Sequence, residues 1–165
     1  MLASEFTDAP ISNPLDLIEQ LADGREWAFD RRNDAEMAVE IPGQWCDYGL
    51  YFSWSEELSA MHFSCAFDSR VPDTARPQIY ELLAHLNQKL WLGHFALWIE
   101  EGIPMFRHTL HLPETLSSPP AVEDLIELAI AECERFYPAF QFVIWGGQSA
   151  QEAIRSAMFE TVGQA

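Results

Sequence analysis

Three histidines, an arginine, two glutamates and a tryptophan fall within LGHFALWIEEGIPMFRHTLHL, residues 92 to 112. Imidazoles and carboxylates at close spacing hold zinc or move protons, and an arginine receives carboxylates or phosphates. The apolar residues of the stretch recur every second position, the period of a β-strand, with a turn at Glu100-Glu101-Gly102. That period puts Phe95, Leu97, Ile99, Phe106, His108, Leu110 and Leu112 on one face. His94, Trp98, Met105, Arg107, Thr109 and His111 take the other. The histidines therefore divide between the two faces of a hairpin. His94 and His111 remain as diagonal neighbours, short of the three or four ligands that zinc requires. His108, among apolar residues, is expected to be a hydrogen-bonded core histidine. Arg107 is expected to pair with a helix carboxylate or stack on Trp98, the alternative being contact with an anionic ligand.

Other candidate chemistry is weaker. WGGQS (145–149) precedes a helix, but it has neither the P-loop nor the dinucleotide-binding glycine pattern, and reads as a glycine hinge before a capping box. No G-x-S-x-G elbow is present, and Cys46, Cys65 and Cys133 are widely spaced without a C-x-x-C pair. They read as buried small hydrophobes in a reducing compartment. The glutamate pairs 56-57 and 100-101 fall in predicted turns, where carboxylates are solvated. No cofactor, metal or catalytic group is expected.

The elements that position these residues follow from local pattern. Asn13 caps and Pro14 opens a short helix with Leu15, Ile18 and Leu21 on its apolar side, ending at Gly24. EWAFDRR and AEMAVEI form a hairpin about Asn33-Asp34 that sets Arg31 opposite Glu36 and Phe29 opposite Ala38. A second hairpin turns at Glu56-Glu57. It gathers Cys46, Tyr48, Leu50, Phe52, Trp54, Met61, Phe63, Cys65 and Phe67 on a core face, and leaves Tyr51 across from His62 on the other. A helix runs from Thr74 to Trp91 with Gly93 as terminator. After the polar connection LPETLSSPP, a long amphipathic helix begins near Val122 and is kinked at Pro138. AFQFVIW continues as a buried segment to Gly146-Gly147, and Ser149 with Glu152 caps a last helix through about Met158. Residues 1–12 read as a disordered tail and 13–165 as one domain with five or six strands.

Nine basic residues stand against 26 acidic ones, a formal charge of −17, so phosphate backbones and anionic lipid surfaces are repelled and basic partners attracted. Lys89 is the single lysine. The opening residues lack the features of a signal peptide and no apolar run is long enough to span a membrane, so a cytoplasmic protein is expected. Apolar residues make up 48% of the chain, including six Trp and eleven Phe. One small domain has difficulty hiding all of Trp27, Trp45, Trp91, Trp98, Trp145, Met61, Met105 and Met158. The remainder is expected to form an interface for a partner or a second copy.

The order of elements, with NQKLWLGHFALWIEEGIPMFRHTLHL, AIAECERFYPAFQFVIWGG and AQEAIRSAMFETVG, resembles the YbjN domain family, described as sensory transduction regulators of bacteria. Asn87, Trp91, Gly93, Phe95, Trp98, Gly102, Phe106, Arg107 and the run from Phe140 to Gly147 carry the likeness. It implies an α+β fold similar to type III secretion chaperones, a curved antiparallel sheet of five to six strands flanked by helices in the order α-ββββ-α-ββ-α-α, commonly dimeric and with no known reaction. The combined expectation is a non-enzymatic regulatory or chaperone-like module that holds a protein segment and forms a homodimer, with neither nucleic acid nor membrane as partner. His94, Trp98, Met105, Arg107, Tyr51 and His62 are the candidate contact residues. The alternative is a small-ligand sensor or unrecognised enzyme with a pocket between sheet and helix, using Arg107, His94 and His111.

Overall fold

A computed structural model describes residues 13–112 and 119–163. The tail over 1–12 and most of the polar connection before the long helix lie outside the described residues. The order is α1 (Pro14–Gly24), β1 (Ala28–Arg31), β2 (Glu36–Pro42), β3 (Asp47–Ser55), β4 (Ala60–Ala66), α2 (Arg76–Asn87), β5 (His94–Trp98), β6 (Ile103–His111), α3 (Pro119–Ile144) and α4 (Ala150–Gly163). The six strands form one antiparallel sheet in the order β1-β2-β3-β4-β6-β5, so the fold is α+β.

Period two decides which sheet face is buried. Met37, Val39, Ile41, Tyr48, Leu50, Phe52, Met61, Phe63, Cys65, Phe95 and Phe106 are all buried, and all share one face. They join Leu15 and Ile18 of α1, Ile79, Leu82 and Leu86 of α2, and the apolar stripe of α3 in one continuous core. Its centre is aromatic: Phe95 meets Phe106 and Phe136 near perpendicular, and Phe67 meets Phe140 at 5.1 Å and 87°. Edge-to-face pairs of this kind add about 0.5–1.5 kcal/mol each beyond their burial.

Local chemistry sets the element ends. Asn13 Oδ1 accepts the Leu15 N–H at 2.9 Å and caps α1, with Pro14 in the first turn. Ser149 Oγ accepts from Glu152 N while Glu152 Oε2 accepts from Ser149 N, the reciprocal box that opens α4. α2 starts at Arg76 after a 3-10 turn (Asp73–Ala75), later than its apolar pattern suggested. It also ends earlier, at Asn87, because the Asn87 side chain turns to the sheet. There it accepts from Phe95 N at 2.7 Å and donates to Phe95 O at 3.0 Å. Gly93 follows with φ +70°, where a Cβ would strike the Phe106 ring, so this tight entry into β5 requires glycine.

Two hairpin expectations are corrected. The first hairpin is shifted by one residue, pairing Phe29 with Val39 and Arg31 with Met37. Its loop is longer than an Asn-Asp turn: Asn33 Oδ1 accepts from Ala35 N, and the Arg32 and Asn33 amides both donate to Glu36 O. The second hairpin has the four-residue loop Glu56–Ser59 and pairs Ser53 with His62 and Tyr51 with Ser64. The segment after Pro138 continues the long helix, since α3 runs through the proline. Proline cannot donate to the carbonyl of residue 134. The Trp45 indole Nε1–H donates to that carbonyl instead, at 3.1 Å.

Candidate functional site: the uncovered face of the sheet

The described helices share the core of one sheet face, and among the described residues no layer lies over the other. The rows across the strands follow from the register. One row reads Ala28, Glu40, Gly49, Ala66, Met105 and Ala96, and the next Asp30, Ala38, Tyr51, Ser64, Arg107 and His94. All six expected contact residues, Tyr51, His62, His94, Trp98, Met105 and Arg107, lie on this face. Tyr51 and Trp98 are each 45% exposed. The one-residue shift of the first hairpin brings Asp30 here in place of Phe29, and it joins Glu40 and Asp47. Asp30 was missed in the sequence because its placement depends on the register of β1. The signal that would have found it is the Asn33 side chain, a residue type that lengthens turns by bonding its own backbone.

Arg107 is flanked by Ser64 and His94. Its Nη2 donates to His62 Nε2 at 3.0 Å, and the other ring nitrogen of His62 lies 3.0 Å from Thr109 Oγ1. An Nε2 that accepts from arginine leaves the ring proton on Nδ1, facing the threonine. Burial first, and then the charge of Arg107, hold the His62 pKa below its ordinary value, so the imidazole is neutral near pH 7. Arg107 Nε is shielded from solvent and has no hydrogen-bond partner. The expected carboxylate partner is thus replaced by a neutral histidine, and among the described residues no acidic side chain pairs with Arg107.

The histidines do not gather. His94 lies opposite Arg107, and His111 is four residues further along β6, about 13 Å away, so the two are not diagonal neighbours. His108 faces the core side opposite Phe63. It is only partly buried and its ring makes no hydrogen bond among the described residues, while burial, and secondarily His94, lowers its pKa. Among the described residues no three His, Cys, Asp or Glu side chains group as a metal site. Arg107, His94 and His111 are on the uncovered face, so a pocket between sheet and helix does not include them.

The three cysteines sit in the core, with Cys133 Sγ 3.6 Å from Cys65 Sγ. Burial pushes the Cys46 thiol up to about 12 and also raises that of Cys133. Neither is a ready nucleophile at neutral pH.

The uncovered face is hollowed. A trough of about 480 Å³ runs from Ala28 and Asp30 on β1, over Ala38, Gly49 and Ala66, to Ile103 and Trp98 on the far strands. A second hollow of about 360 Å³ lies beside Ser64, Trp98, Met105 and Arg107. On the helix side Trp91, Trp145 and Phe159 are also exposed, so part of the aromatic surplus does stay outside the core. No described helix is long and apolar enough to cross a membrane.

Comparison with known proteins places this geometry. No curated protein matches the sequence. A solved structure described as "Crystal structure of YbjN, a putative transcription regulator from E. coli" superposes with a TM-score of 0.53 at 12% identity, covering 82% of this chain and 92% of that one. At that identity the likeness shows a shared fold. The family model "YbjN: Putative bacterial sensory transduction regulator" matches residues 14–142, from the first helix through most of the long one, and the chain belongs to the YbjN family.

Proposed function

We propose that this chain is a non-enzymatic regulatory module that binds a segment of a protein partner on the uncovered face of its sheet. The observation that carries the reading is a hollowed, aromatic-bearing six-stranded face with no described helix over it, while the described helices cover the opposite face. Exposed Tyr51 and Trp98 supply the large, low-entropy contact area on which interface energy concentrates. The reactive groups argue in the same direction. His62 spends both ring nitrogens on neighbours, so the face supports contact better than bond-making, and in the core Cys46 and Cys133 are held as thiols.

Photo-crosslinking in cells tests this. A benzophenone side chain replaces Tyr51 or Trp98 on the sheet face, and Tyr80 or Trp145 on the helix side. The expected result is a discrete protein adduct from the first pair and none from the second. Adducts confined to positions 80 and 145 would refute the placement.

A further inference from the structure

We infer that the occupant of the uncovered face is a basic peptide segment, seated with lysine or arginine side chains over Asp30, Glu40 and Asp47. The inference rests on the binding reading above and adds the chemistry of the partner. The row under the trough carries Ala28, Gly49 and Ala66, so its floor is low and apolar. Six strands at sheet spacing extend about 24 Å from first to last, which matches about seven residues of extended chain.

Charge selects the occupant. Asp30, Glu40 and Asp47 are exposed at the β1–β3 end. Asp30 has one ion pair among the described residues, with Arg32 at 3.8 Å and largely in solvent, and Glu40 and Asp47 have none. The methylene stem of a lysine or arginine lies along the alanine floor while its head reaches a carboxylate or the ring of Tyr51 or Trp98. The net charge of −17 steers basic chains inward and turns acidic ones away. Arg107, at the opposite end of the face, repels a basic side chain and so fixes which way the segment lies.

The test uses fluorescence anisotropy with the labelled heptapeptides KLKLKLK and ELELELE. The lysine peptide is expected to bind, and to weaken by about tenfold or more in Asp30→Asn/Glu40→Gln/Asp47→Asn. The control Asp23→Asn/Glu56→Gln/Glu57→Gln makes the same change in net charge at exposed sites elsewhere, and is expected to stay within about twofold of wild type. Equal weakening in both triples would show attraction to bulk charge and overturn the inference, as would no binding of the lysine peptide. Binding of the glutamate peptide, lost in Arg107→Ala, would overturn the basic occupant yet leave the protein-binding reading standing. A light-scattering dimer mass that falls to the monomer in Tyr51→Arg would make a second copy the occupant and overturn the inference.

Discussion

Replacing Trp45 by phenylalanine should destabilise the protein by an amount that depends on residue 138, far away in sequence. The Glu134 carbonyl faces Pro138, which has no N–H, and is served by the Trp45 indole at 3.1 Å. Phenylalanine retains an aromatic ring for the parallel stack on Tyr137, whose centroid lies 6.3 Å away, but carries no donor. A partly exposed hydrogen bond of this type contributes about 0.5–1.5 kcal/mol, so Trp45→Phe should cost about 1 kcal/mol. In a Pro138→Ala background the backbone N–H of residue 138 reaches the same carbonyl, and the cost of Trp45→Phe should fall to about 0.3 kcal/mol or less. The coupling energy from the four-protein cycle is then about 0.7 kcal/mol, measurable by urea unfolding followed by far-UV circular dichroism. Equal costs of Trp45→Phe in the two backgrounds would refute the exchange of donors, whatever Pro138→Ala does by itself.

Two further outcomes are expected. Asn87→Ala removes both side-chain bonds to the Phe95 backbone and should cost about 1–3 kcal/mol, with Asn87→Asp, which still accepts but cannot donate, falling between it and wild type by urea titration; equal loss in both variants would refute the paired bonds. His62 and His108 have folded pKa values below the ordinary histidine value of about 6.5, so the unfolded chain binds more protons there and stability contributed by their neutral forms is lost as pH falls through that value. Relative to wild type, His62→Gln/His108→Gln should lose less stability between neutral and mildly acidic pH, and a steeper loss in the variant would contradict the sign.

Features written in adjacent residues were legible in the sequence. The Asn13 cap and the Ser149–Glu152 box are bonds among near neighbours, and they form as their residue types require. Strand sidedness was legible where errors came in twos. The second hairpin is offset by two residues from the expected register, and an even offset leaves every side chain on its face, which kept Tyr51 and His62 on the uncovered side. In the first hairpin the offset is one, so Phe29 and Asp30 exchanged faces and Asp30 was lost from the acidic end of the trough. The partner of Arg107 and the donor that serves the Glu134 carbonyl in place of residue 138 were not legible at all, because His62 and Trp45 are brought up by the tertiary fold.

The one-sided covering of the sheet makes stability a property of the surroundings. The core supplies what the helices can bury, and the second face contributes only when something else covers it. Any occupant that prefers the folded chain adds RT ln(1 + [L]/Kd), about 2.7 kcal/mol at a hundred times its Kd. Single domains carry a margin of only about 5–15 kcal/mol, so the fraction folded would follow partner concentration by mass action. Where unfolded chain is degraded, the amount of this protein would then report the amount of its partner.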